Sequence, residues 1–190
     1  MIAGATFKGS VVIWDVSSGR ELKTIVNHTR TCYCIAWNQV NKKIYVSTSS
    51  DCYACVVSVD VTELSNNNSD HVSLGSRKVK AKVGQGRQEE GGESVSSIVA
   101  KFLHPAPVFG CSWCPFNPDL FSTCCEDGVI RIFNCIELKL FYKLQGHSSR
   151  TFNCEWSKLV PVRILIITIP LIILFHIKSY SPILLLTSSF

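Results

Sequence analysis

His28, Ser47 and Asp51 are the residue types of a hydrolase triad, with an imidazole to take a hydroxyl proton and a carboxylate to orient it. His104, Thr123 and Asp127 repeat the set, with threonine supplying the hydroxyl. A catalytic set is needed once per site, whereas this one recurs on a fixed ruler, so no catalytic residue is assigned. Cys52-Tyr53-Ala54-Cys55 and Cys111-Ser112-Trp113-Cys114 form a CxxC…CxxC pattern of the kind that binds zinc. Both pairs fall on strands or strand ends, however, and residues three apart on a strand face opposite sides. One strand cannot then offer both sulfurs to one ion, and buried structural thiols are the expectation. Gly84-Gln85-Gly86 has no strand leading in and no helix following, so it is not read as a phosphate loop. Neither a metal nor a cofactor is expected.

The ruler shows what must position these side chains. His28, His104 and His147 each stand nine residues before a tryptophan, at Trp37, Trp113 and Trp156. Fourteen residues separate Trp37 from Asp51 and Trp113 from Asp127, and six more lead to Val57 and Phe133. Trp14 lies fourteen residues before His28, as Phe133 does before His147. The period is 43 residues, broken once by an insertion of 33 between Val57 and His104. Arrays of that period build propellers with four short strands per unit. Short runs rich in β-branched and aromatic residues, separated by turn residues, predict strands over 11–15, 21–26, 32–37, 44–48 and 53–59. The same signal returns over 98–102, 108–113, 120–124, 129–133 and 152–156, and residues 137–144 close the third unit.

Residues 62–96 hold Asn66-Asn67-Asn68, several Gly and Ser, balanced charges and almost no large apolar side chain. Such a segment cannot bury enough surface to offset its ordering entropy, which predicts a mobile polar loop. The whole chain of 190 residues carries a net charge of +5, too mild and too scattered for the basic stripe of a nucleic-acid binder. Ten cysteines with no secretory signal at Met1-Ile2-Ala3-Gly4 point to a reducing compartment with free thiols.

These landmarks resemble those of the WD-repeat family of β-propellers. Gly146-His147 matches the family's Gly-His dipeptide and Trp14-Asp15 its Trp-Asp, and GREL after VVIWD and the EDGVIRIF segment are phrased alike. The likeness runs over residues 4–157 without the insertion. It implies that His before the innermost strand, Ser or Thr on the second strand, Asp in the next turn and Trp on the third strand form a buried hydrogen-bond network. Carried onto this chain, the network is His28, Ser47 and Asp51 in one unit and His104, Thr123 and Asp127 in the next. His147 opens a further unit, and Trp14 holds the tryptophan slot of the first. Val57 and Phe133 replace that tryptophan in the complete units, and Asn27 and Leu103 replace the glycine before His. The network should therefore be thinner than the family pattern, with each lost partner costing about 1–3 kcal/mol.

After Ser157 the landmarks stop and apolar text follows. Its uncharged stretch from Ile164 to Ile177 would reach about 21 Å as a helix, against a hydrocarbon core of about 30 Å. A truncation or read-through is expected here, with a membrane anchor or a buried hydrophobic element of a larger protein as the alternatives. The resulting expectation is an all-β chain, a partial WD-repeat β-propeller. It has two complete four-stranded blade units and parts of two others, over residues 1–61 and 97–157, then an apolar tail over 158–190. The resemblance implies a cytoplasmic, non-catalytic scaffold or adaptor for protein partners, as a fragment of a larger propeller protein. No nucleic-acid partner is expected, and membrane tethering through the tail is the alternative function.

Overall fold

Runs of Val, Ile, Tyr and Phe, broken every few residues by Gly, Pro, Asn, Asp or Ser, satisfy their backbone by pairing side by side. In the computed structural model they form four antiparallel sheets. Residues 1–59, 97–158, 163–168, 172–178 and 181–185 are described; the insertion expected over 62–96 lies outside them. Ile2–Ala5 (β1), Ser10–Trp14 (β2) and Glu21–Val26 (β3) make a three-stranded sheet. Cys32–Trp37 (β4), Ile44–Ser49 (β5), Tyr53–Ser58 (β6) and Ser97–Leu103 (β7) make the second, and β6 and β7 flank the insertion. Val108–Trp113 (β8), Leu120–Cys125 (β9), Ile130–Asn134 (β10) and Lys139–Leu144 (β11) make the third. Each sheet is a meander in which consecutive strands are neighbours.

The fourth sheet extends past the point where the landmarks stop. Thr151–Trp156 (β12) is followed in order by Arg163–Thr168 (β13), Ile172–Lys178 (β14) and Ser181–Leu185 (β15). Trp156 pairs with Ile164, and Ile164 with Phe175, so the apolar run lies on strands and not on a helix. Isoleucine, with its branched Cβ, suits a pleated surface better than a helix. The unit credited with only an opening strand thus has four. Among the described residues, no helix is long and apolar enough to cross a membrane.

Three cores lie between successive sheets. Val11, Ile13 and Ile25 of the first sheet pack with Tyr45, Cys55 and Val57 of the second. On the opposite face Val46, Ala54, Val56 and Phe102 meet Trp113, Phe121 and Phe133 of the third. Cys124, Ile130 and Ile132 then meet Cys154, Trp156 and Ile164 of the fourth. Two indoles cross these seams. Trp113 Nε1 donates to Ala36 O at 2.9 Å, and Trp156 Nε1 donates to Ser112 O at 3.1 Å. Each indole therefore reaches the carbonyl just ahead of the preceding unit's tryptophan.

Equivalent turns need the same left-handed backbone but do not all have glycine. Gly9 (φ 82°) and Gly128 (φ 76°) occupy one turn position, and Cys52 (φ 69°) occupies it in the second unit. The carbonyls of Gly9 and Cys52 accept the amides of His28 and His104, at 3.0 and 2.9 Å. Gly19 (φ 67°) and Leu138 (φ 54°) share a second position, each four residues after an Asx-turn residue. Asp15 there accepts from Ser17 and Ser18, and Asn134 from Ile136 and Glu137. A side chain at such φ costs roughly 1–2 kcal/mol, while glycine adds roughly 0.5–1 kcal/mol of chain entropy. Cys52→Gly and Leu138→Gly are each expected to stabilise the chain by up to about 1 kcal/mol, seen as a raised midpoint in urea unfolding. Gly128→Ala should do the reverse, because its new Cβ would lie 2.7 Å from Ser149 O in addition to the backbone strain.

Candidate functional site

The loop after β3 delivers His28, β5 delivers Ser47, and the β5–β6 turn delivers Asp51. His28 Nδ1 lies 3.0 Å from Asp51 Oδ2, and its Nε2 lies 3.0 Å from Ser47 Oγ. With its proton on Nδ1, facing the carboxylate, the imidazole accepts from the serine hydroxyl. Ser47 Oγ in turn accepts from Asn27 Nδ2 at 2.6 Å. Asp51 also takes the backbone amides of Thr29 and Tyr53, each at 3.0 Å. Burial works to raise its carboxyl pKa, but these amides and His28 outweigh it and the net shift is downward. For His28 burial dominates over the attraction of Asp51 and lowers the imidazole pKa.

The connectivity is that of a serine triad, yet Ser47 has 0% of its surface exposed and His28 only 3%. No substrate carbonyl can reach Oγ without unpacking the sheet. A cavity of about 340 Å³ lined by Met1, Trp37 and Lys42 contains none of these residues.

The third sheet keeps half of the arrangement. His104 Nε2 accepts from Thr123 Oγ1 at 2.9 Å, while Nδ1–H donates to Phe102 O at 3.0 Å. The Phe133 ring, in the slot expected for tryptophan, meets the imidazole edge-on at 5.3 Å. Asp127 is not joined to His104. Arg131 holds it instead, with Nη2 to Oδ2 at 2.6 Å and Nη1 to Oδ1 at 3.1 Å. The reason is one substitution between units. Four residues after the aspartate stands Cys55 in the second sheet, too short to capture Asp51, and Arg131 in the third. Burial opposes the Asp127 charge, but the guanidinium and the Val129 amide win and its pKa falls. The network anticipated from Asp127 to His104 is therefore replaced by an ion pair.

Two further residues had been placed in the network. His147 is half-buried, and burial lowers its pKa. In its unit the positions of the hydroxyl and the acid are Ile166 and Pro170, so the residue types of the earlier network are not repeated. Trp14 is half-buried on β2, with its ring close against Gly4, where a Cβ would come within 2.9 Å. The sequence marks Trp113 and Trp156 as landmarks of the repeat and Asn27 as a departure from it, but assigns none of them a hydrogen-bonding role, and it does not mark Arg131. The common signal of the two indoles is position, since Trp113 and Trp156 are repeat equivalents.

All ten cysteines are free thiols, and all but Cys34 and Cys52 are buried. Among the described residues, no three His, Cys, Asp or Glu side chains group closely enough to hold a metal ion. Cys34 Sγ on β4 lies in hydrogen-bond contact with Cys111 on β8, donating to its carbonyl at 3.9 Å. Hydrogen bonding with Cys111 draws the Cys34 thiol down to about 7, whereas Cys111 is pushed well up.

Both buried imidazoles make stability depend on pH. His104 is lowered from 6.5 to about 4, chiefly by burial, so the unfolded chain takes a proton that the folded one refuses. Stability from this residue should be complete above pH 6.5 and decline as pH falls to about 4, by roughly 3 kcal/mol. His28 adds to the loss in the same direction, and the lowered Asp51 and Asp127 extend it below their usual 3.8. Urea unfolding between pH 7 and pH 4 checks the slope. Ser47→Ala at pH 7 should cost about 1–3 kcal/mol, because Asn27 and His28 both lose their partner.

Residues 19–58 and 96–134 match the family model described as WD domain, G-beta repeat. Each match begins on or beside the last strand of one sheet or unit and ends on the third strand of a sheet. A stretch of 53 residues is 36% identical to the peroxisomal targeting signal 2 receptor of Dictyostelium discoideum. That stretch is 26% of this chain and covers only 17% of the relative. With repeat matches on successive meander sheets and an all-β architecture, the chain has the fold of a partial WD-repeat β-propeller.

Proposed function

We propose that this chain is a non-catalytic scaffold or adaptor for protein partners, acting in the cytoplasm as part of a larger propeller protein. The observation that carries the reading is where the reactive side chains lie. His28, Ser47, His104 and Thr123 are at most 3% exposed and bonded to one another inside their sheets, which leaves the loops at the sheet ends to meet other molecules. WD repeats imply an interaction role, and the relative is named as a receptor, whose task is recognition. KFLHPAPVFGC (Lys101–Cys111) also resembles a stretch of WD repeat-containing protein 17. Membrane tethering is not favoured, because the described parts of the apolar run are strands. The reading calls for no cofactor and no nucleic acid.

Two measurements test it. A fluorophosphonate probe is expected to leave Ser47 unlabelled in the folded chain, and labelling abolished by Ser47→Ala would overturn the non-catalytic reading. Proteins retained by the tagged chain should be lost when Thr29-Arg30 and Pro105-Ala106, the loop residues outside the buried networks, are replaced by Gly-Ser, with melting nearly unchanged. Retention that ignores both replacements would remove the sheet-end loops as the contact surface.

A further inference from the structure

The innermost strands of three sheets share an irregularity. Their pairing slips between Cys32 and Cys34, between Val108 and Gly110, and between Thr151 and Asn153. The residue left over in each slip is aromatic: Tyr33, Phe109 and Phe152. All three stand four residues before the unit's tryptophan, so they are equivalent positions. A bulge frees its residue from the ladder and re-aims the side chain. Here the freed rings form a row. Tyr33 and Phe109 lie 5.1 Å apart between centroids, and Phe109 and Phe152 lie 5.3 Å apart. Tyr33 is 46% exposed and Phe152 42%, so both ends of the row are open to another molecule. Gly110 allows the close approach, since a Cβ there would meet Phe152 O at 2.7 Å.

The charges beside the row are unequal. In the turns and loops at this end of the sheets, Asp51 is bonded to His28, Asp127 to Arg131, and Glu126 to Arg150. Lys8 and Arg30 are exposed, and among the described residues no carboxylate pairs with either. Their segments touch: a Cβ on Gly9 would lie 2.5 Å from Arg30 O. Arg30 is three residues ahead of Tyr33, so the positive charge sits at the Tyr33 end of the row.

We propose that Tyr33, Phe109 and Phe152, with Lys8 and Arg30 at one end, form a docking strip for an extended acidic peptide segment of a protein partner. Its carboxylates meet Lys8 and Arg30, and its aromatic or branched aliphatic side chains lie along the rings toward Phe152. This rests on the platform reading above and names the partner's chemistry. Single-stranded nucleic acid fits less well. The rings are already in contact with one another and leave no gap for a base, and two cations do not make a backbone track.

Fluorescence anisotropy on the full chain tests the strip. The probe is a labelled peptide with Asp-Glu pairs followed by Phe and Leu; a peptide with Lys in place of the acids and an oligo-dT strand serve as comparisons. The acidic peptide should bind best. Tyr33→Ser with Phe152→Ser, and separately Arg30→Glu, should each weaken it about tenfold, as for loss of an anchor residue. Arg30 is exposed and outside the ion pairs of the described residues, so Arg30→Glu should melt as the parent does and exclude unfolding as the cause. The double serine variant gives up both ring contacts to Phe109 and should melt somewhat lower. Acidic-peptide binding unchanged by both variants overturns the strip but leaves the platform reading standing. Equal binding of the lysine peptide, preferred capture of oligo-dT, or no peptide binding at all overturns it as well. The platform reading fails separately, through the loop replacements described above.

Discussion

Val56 and Val57 are adjacent in sequence, point to opposite sides of one sheet, and are both buried. Val56 faces the third sheet and Val57 the first. A strand can bury both of its faces only when a sheet stands on each side, so the second and third sheets depend on their neighbours as much as on their own hydrogen bonds. Other features follow from that dependence. Two indoles reach across the seams to carbonyls, Asn38 Nδ2 crosses to Pro118 O at 2.7 Å, and Gly110 keeps neighbouring inner strands in close contact. The residues matched as the first repeat run from β3 of one sheet through β4–β6 of the next, so the covalent chain itself stitches the stack.

The polar groups are less uniform than the seams. Sheet two has a continuous path from Asn27 through Ser47 and His28 to Asp51. Sheet three divides the same residue types into an imidazole–threonine pair and an arginine–aspartate pair. Both solutions pair the buried imidazole, hydroxyl and carboxylate, as burial demands, although Asn27 Oδ1 in sheet two is left without a partner. The identity of the partner is secondary, which is why a chain can lose the indole donor at Val57 and Phe133 and still close the sheet. Phe133 fills the space with ring contacts to Phe102, Phe121 and His104.

The period of 43 residues made most strands legible, because the turn residues and the His and Trp marks bracket β4, β5, β8 and β9 almost to the residue. The hydroxyl–imidazole contacts were legible for the same reason. The fate of Asp127 was not, since it turns on Arg131, a residue outside the shared landmarks. Strands β13 to β15 were hidden because the ruler meets Ile166 and Pro170 where the hydroxyl and the acid should stand, and apolar text off the ruler reads equally well as a buried helix or a strand. The aromatic row was hidden differently. A bulge changes which way a residue points without changing the hydrophobic pattern, so nothing in the sequence sets Tyr33, Phe109 and Phe152 apart from their strand neighbours.

The indoles that cross the seams have an optical consequence. Trp113 is anchored to the sheet before it and Trp156 to the next one along, each in a nearly dry environment. Separation of a single seam would wet one chromophore and leave the other untouched. The emission of this chain thus carries two local gauges, and replacing either tryptophan by phenylalanine would show whether the stack comes apart at one joint or at all of them together.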